Sequence, residues 1–155
     1  MSPVGSFESL MAAIQGGANA VYFGASKLNM RSRSSTNFTL SDLNEISTIC
    51  KEYGIRSYLT LNSIIYDEEL QEMQNIVDTA KESSISAIIA SDPSVISYAA
   101  QKGVEVHLST QCNVTNIEAV KWYSRYADVI VLARELNLQQ IKQIVDAINS
   151  FDIRG

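Results

Sequence analysis

Reactive residues are scarce in this chain. Its 155 residues hold one histidine and two cysteines, and those counts exclude several classes of chemistry. Cys50 and Cys112 lie far apart in sequence, so they form neither a disulfide framework nor the closely spaced pairs of a zinc site. No HExxH run is present, and His107 has no serine or cysteine arrangement around it that reads as a hydrolytic triad. No apolar run approaches the roughly 20 residues a membrane helix needs, and no secretory signal stands at the N-terminus. The formal net charge of −5 argues against a chain built to coat nucleic acid, because neutralising phosphates takes clustered Lys and Arg. What is left is one globular domain, 46% hydrophobic and 19% charged, with the cytoplasm as its expected location.

The alternation of its elements is what the chain has in abundance. Strand-like runs at residues 20–23, 56–62, 87–91, 104–110 and 128–133 alternate with helix-like runs, and a clipped strand stands at Met1-Ser2. The helices announce themselves by their starts: Ser6, the capping-box run Thr39-Leu40-Ser41-Asp42, Asp67, Asp92-Pro93, Thr115-Asn116-Ile117-Glu118 and Asn137. Their apolar stripes have helical spacing, as in Leu43, Ile46, Cys50 and Tyr53, or Ile141, Ile144, Val145 and Ile148. This pattern predicts a parallel α/β architecture with function at the C-terminal ends of the strands. An open doubly wound sheet is disfavoured, because the glycine-rich phosphate fingerprint after the first strand is missing. Eight βα units take roughly 200–250 residues. The chain is therefore expected to be an incomplete TIM-like (β/α) barrel of about six units. On this reading, residues 1–155 are the N-terminal portion of a single barrel domain whose remainder is missing. Isolated, such a segment is expected to self-associate through its unpaired strand edges.

Strand parity selects side chains for the interior. Tyr58, Thr60 and Asn62 share one face, with Leu59 and Leu61 on the other. Likewise His107, Ser109 and Gln111 lie opposite Val106 and Leu108. In a barrel the apolar set packs on the helices and the polar set looks inward. The runs at 87–91 and 128–133 are apolar on both faces, as buried parallel strands are, but their ends supply Asp92 and the pair Arg134-Glu135. Several of these have plain structural readings. Asp92 before Pro93 is a good helix cap, Arg134-Glu135 suits a surface pair, and a lone histidine such as His107 is commonly a hydrogen-bonded core residue. Asn62, Gln111 and the neighbouring Asn113 are uncharged amides at strand ends, suited to reading a ligand's hydrogen bonds. Cys112 lies at the mouth with no activating partner in view. Finally, residues 24–38 contain no acidic residue but include Lys27, Arg31 and Arg33. So long a connection suits a binding loop, and Arg31 suits a carboxylate or phosphate.

At these same residues the chain resembles the U-32 peptidase family, also called collagenase-like proteases. The matching stretches are Ser2-Pro3-Val4-Gly5-Ser6-Phe7-Glu8, Gly17-Ala18-Asn19-Ala20-Val21-Tyr22-Phe23-Gly24, Thr60-Leu61-Asn62, Ser91-Asp92-Pro93, Leu108-Ser109-Thr110-Gln111-Cys112-Asn113-Val114-Thr115-Asn116 and Val131-Leu132-Ala133-Arg134-Glu135-Leu136. The resemblance implies the N-terminal part of a barrel-like catalytic domain. It also implies that the family's glycine- and cysteine-containing signature lies beyond Gly155. The 4Fe-4S cluster of several members would then be bound outside this segment, which itself is expected to hold no cofactor or metal. Cys112 stands where relatives carry Met or Ala, so it is not carried over as a cluster ligand. Two activities compete under this resemblance: proteolysis of collagen, and support of base hydroxylation in transfer or ribosomal RNA. The scarcity of nucleophile–base pairs and the polar groups at the mouth favour hydroxylation, with a small-molecule or RNA substrate of the full-length parent. A non-catalytic scaffold or partner subunit is the third reading, under which the mouth residues would tolerate alanine.

Overall fold

A computed structural model describes residues 1–25, 27–29 and 38–151. Among them, strands β1 (Ser2–Pro3), β2 (Ala20–Phe23), β3 (Arg56–Leu61), β4 (Ala87–Ala90), β5 (Val106–Leu108) and β6 (Val129–Ile130) form one sheet in sequence order. Every neighbouring pair is parallel. Helices α1 (Phe7–Gln15), α2 (Leu43–Glu52), α3 (Leu70–Glu82), α4 (Pro93–Gln101) and α5 (Ile117–Tyr123) make the crossovers, and α6 (Leu138–Ser150) follows β6. A doubly wound sheet reverses direction at a switch point. Here each crossover advances one strand the same way, which is the progression of a (β/α) barrel wall.

Register separates the two faces of that wall. Phe23, Leu59, Ile88 and Val106 are lateral neighbours and belong to the main core, with Leu10, Leu43, Ile46, Met73, Val77 and Val95 from the helices. A fully buried side chain of this size contributes about 1.5–3 kcal/mol, so this outer layer holds the segment together. The opposite row, Tyr22, Tyr58 and Ala87, joins Ala20 and Ile89 in a smaller, separate cluster on the inner face. The parity expected for Leu59, Leu61, Val106 and Leu108 is observed.

Some boundaries differ from the expected ones, for local reasons. The α5 cap is Asn116, not Thr115: the Asn116 side chain reaches the Ala119 amide at 2.9 Å. Before α3, residues Asp67–Glu69 form a separate 3₁₀ turn capped at Tyr66, whose amide donates to the Glu69 carboxylate at 2.9 Å. The sixth strand is only two residues long. Val131 still donates to Leu108, but Ala133 donates instead to Val114, in the loop after β5, so the chain leaves the ladder early. Tyr53 and Val145, placed on apolar stripes by spacing, are 50% and 45% exposed.

Candidate functional site

The C-terminal ends of β3, β4 and β5 are stitched into one rim. Ser91 Oγ donates to the Asn62 carbonyl at 3.0 Å, the Cys112 thiol lies 3.6 Å from the Ser91 carbonyl, and the Ser109 amide donates to Ala90. Asp92 is spent on the same work. One carboxylate oxygen accepts from the Ser94 amide at 2.9 Å and from its hydroxyl at 2.6 Å. The other accepts from the Ile65 amide at 3.2 Å, tying the β3–α3 loop to the start of α4. The structural reading of Asp92 is thus fully accounted for. Asp92→Ala should lower stability by about 1–2 kcal/mol, read from denaturant unfolding, and Asp92→Asn should restore most of it. If Asn restores nothing, the second oxygen's bond from the Ile65 amide matters more than the cap.

Beyond the rim, Thr110, Gln111, Asn113, Arg134 and Glu135 line one open recess. Four of these, all but Thr110, are candidates from sequence. A 3₁₀ turn at Thr110–Cys112 shapes it, opened by Ser109, whose hydroxyl accepts from the Gln111 amide. The turn ends at Asn113 in the left-handed region, φ 49°, a conformation Asn tolerates better than most residues. Gln111, Asn113, Arg134 and Glu135 are all exposed. Among the described residues neither Arg134 nor Glu135 has an ion-pair partner. The recess therefore offers a free guanidinium, two amides, a hydroxyl and a carboxylate: groups for binding and orienting, with no activated nucleophile among them.

His107 is elsewhere. It is 8% exposed on the inner face of β5, where Nε2 meets Glu105 Oε1 at 2.7 Å and the ring lies 4.6 Å from that of Tyr58. Arg56 pairs with the other Glu105 oxygen and sits over the Tyr58 ring. This Arg56–Glu105–His107 chain begins at the N-terminal ends of β3 and β5, away from the mouth. Sequence reasoning passed over Arg56 and Glu105; the available signal was their i, i+2 spacing to Tyr58 and His107 on one strand face. Burial pushes the Glu105 carboxyl up, but hydrogen bonds from His107 and Arg56 outweigh it and hold the group below the ordinary value of 4.5. A carboxylate depressed in the folded state stabilises above its unfolded value and loses that contribution as pH falls through its folded value. Glu105→Gln should therefore be less stable than wild type at neutral pH, by under about 1 kcal/mol since the pair is partly exposed. That deficit should shrink in melts below about pH 4.

The two cysteines do not fit an iron–sulfur cluster, which takes four thiolates. Cys50 is buried among the helices, its thiol pushed up to about 11 by desolvation. Burial also raises Cys112, against a hydrogen bond with Tyr123. Among the described residues no three His, Cys, Asp or Glu gather as metal ligands, and no helix is long and apolar enough to cross a membrane. Arg31 lies outside the described residues, as does Arg33.

The sequence profile of peptidase family U32 matches residues 5–154. The chain belongs to this family. It is 56% identical over its whole length to a collagenase of Porphyromonas gingivalis, of which it spans 37%. It is 31% identical to tRNA hydroxylation protein P1 of Bacillus subtilis, with 96% of this chain and 36% of that protein covered. Against the 23S rRNA 5-hydroxycytidine C2501 synthase of Escherichia coli it is 34% identical, all of it aligning to 24% of that protein. The U32 chain thus spans between 24% and 37% of the length of these relatives. The solved structure of the U32 peptidase Mk0906 superposes with a TM-score of 0.76 at 14% identity, covering 95% of this chain and 64% of that one. At that identity the likeness speaks for the fold alone.

Proposed function

We propose that the full-length protein supports hydroxylation of a base in transfer or ribosomal RNA, with the recess at the mouth binding polar groups of the substrate. One observation carries this reading. The groups collected at the C-terminal rim are a guanidinium without an ion-pair partner among the described residues, two amides, a hydroxyl and a carboxylate, which suit hydrogen bonding to a nucleotide substrate. Relatives named for tRNA and rRNA hydroxylation span nearly all of this segment. The redox chemistry would come from a 4Fe-4S cluster held by cysteines outside residues 1–155, since the two here do not fit one. A cytoplasmic location goes with such a substrate.

Proteolysis is the second reading, favoured by the name of the relative at 56% identity. His107 with Glu105 behind it is the base-and-orienter half of a triad. Yet among the described residues no serine, threonine or cysteine hydrogen-bonds His107, and the dyad lies away from the mouth. The deciding experiment deletes the gene and digests total RNA to nucleosides for mass spectrometry. One hydroxylated pyrimidine should disappear and return on complementation with the full-length gene. An unchanged nucleoside profile, with collagen cleavage by the purified protein, would reverse the assignment.

A further inference from the structure

The outer wall beside the rim carries a groove that neither the recess nor the inner-face charges explain. It runs between α4 and α5 and is lined by Pro93, Ile96, Ser97, Trp122, Tyr123 and Tyr126. Trp122 and Tyr126 are 49% and 42% exposed, although their rings are already packed on one another. The Trp122 centroid lies 4.7 Å from that of Tyr123, edge-on, and 5.7 Å from that of Tyr126. Such a platform presents aromatic faces with little ordering left to do on binding.

Two links join this groove to the mouth. Pro93 begins α4 directly after the rim residue Asp92. Tyr123, on the groove wall, and Cys112 of the rim pack against the same core. The segment that carries the aromatic rings is itself basic. Residues 121–126 read Lys-Trp-Tyr-Ser-Arg-Tyr, two cations and three aromatics with no acid. Lys121 pairs with Glu118 at 2.9 Å and covers the Phe151 ring. Arg125, exposed, has no ion-pair partner among the described residues. It lines a polar cleft that shares Tyr126 with the groove. The acids of that cleft have partners of their own: Asp128, which keeps its charge, accepts from the Val106 amide at 2.9 Å, and Glu105 holds Arg56 and His107. Aromatic faces beside an uncommitted arginine are the chemistry that single-stranded nucleic acid uses, bases stacking on rings while cations meet phosphates.

We propose that the α4–α5 groove is a stacking subsite for an unpaired RNA base a few nucleotides from the one presented to the mouth, with Trp122 and Tyr126 as the platform and Arg125 at the adjoining phosphate. This rests on the RNA reading above and adds to it a second contact, outside the barrel mouth. The strand passes from the recess over the rim at Pro93 and into the groove. The same side chains are apolar enough to be covered by another part of the polypeptide, so the test must separate these occupants.

The full-length protein is titrated with a short single-stranded RNA of mixed sequence, using labelled RNA for affinity and intrinsic emission for the site. Trp122 is the one tryptophan of these 155 residues, so the emission lost in Trp122→Phe reports on it. RNA should quench that component. Trp122→Ala and Tyr126→Ala should each weaken binding about ten-fold, while Trp122→Phe, which keeps a stacking ring, recovers most of it. Arg125→Gln should lower the salt dependence of binding by about one counterion. RNA binding unchanged in both alanine variants overturns the groove and leaves the RNA reading standing. So does a Trp122 shielded from acrylamide in the full-length protein, which would mean that the rest of the chain covers the groove. A wild-type protein that binds no RNA overturns both.

Discussion

Gly24→Ala is expected to destabilise the barrel wall by about 2 kcal/mol, within the range for an overpacked core. For a domain of this size that moves the melting midpoint by roughly 4–8 °C. The cause is a contact. A Cβ built on Gly24 would sit 2.6 Å from Asn29 Cγ and Nδ2 and 2.7 Å from Oδ1, far inside van der Waals separation. Asn29 has little room to yield, being 2% exposed. Nor does the backbone at Gly24 demand glycine, since its φ is not among the positive ones; the penalty comes from the neighbour. The check is a double-mutant cycle by calorimetry on the full-length protein. Asn29→Ala has its own cost, which the cycle subtracts. In that background Gly24→Ala should be nearly silent, giving a coupling of about 2 kcal/mol. Equal penalties in both backgrounds would show that the close approach is not what excludes a side chain at Gly24.

The architecture was legible in sequence because two independent signals agree at most junctions. Apolar runs at strand and helix spacing lie between residues that cap or end a helix: in the run at Thr39–Asp42 the Thr39 amide donates to Asp42, and the expected cap Asn137 accepts from the Gln140 amide. Where several cap-formers are adjacent, sequence did not choose among them. Thr115 and Asn116 both qualify, and the longer Asn side chain reaches the Ala119 amide. Strand ends were overestimated for a different reason. The length of β6 depends on whether Ala133 continues the ladder beyond Leu108 or turns to the Val114 carbonyl, and that is decided by a loop more than fifteen residues away in sequence.

The site was legible in part, for the same kind of reason. Gln111, Asn113, Arg134 and Glu135 could be placed at the mouth because each follows a recognisable strand, and the fold brings them into one recess. The inner charge chain could not, because it crosses a strand. Tyr58 is the lateral neighbour of Ala87, and His107 that of Ile89. The missing bulk at Ala87 lets side chains of β3 and β5 meet over β4, in the layering of alternate strands that fills a barrel. The i, i+2 spacing puts Arg56 beneath Tyr58 and Glu105 beneath His107 on their strand faces, but says nothing of the two strands meeting. His107, expected on the inward face of its strand, is a polar part of that inner layer.

Arg134→Gln should reduce formation of the hydroxylated base by about 10- to 100-fold in kcat/KM, without moving the melting midpoint. The magnitude follows from the charge-assisted hydrogen bonds a guanidinium makes to an anionic group, about 1.5–3 kcal/mol. The neutral effect on stability follows from its surroundings: Arg134 is exposed and, among the described residues, outside every ion pair. Arg134→Lys keeps the charge but not the planar fork, and should fall between the two. Glu135→Gln supplies the opposite sign, since removing a carboxylate beside the guanidinium should leave binding of an anionic substrate intact or tighter. Asn113→Gly tests the amides separately, because glycine keeps the left-handed turn while the side chain is lost; a rise in KM at constant kcat is expected. The assay is the full-length protein on RNA from the deletion strain, with modified nucleosides counted by mass spectrometry. If Arg134→Gln and Asn113→Gly both work as well as wild type, the recess does not bind the substrate. The U32 segment would then act by its apolar wall, as a scaffold for residues carried elsewhere in the protein.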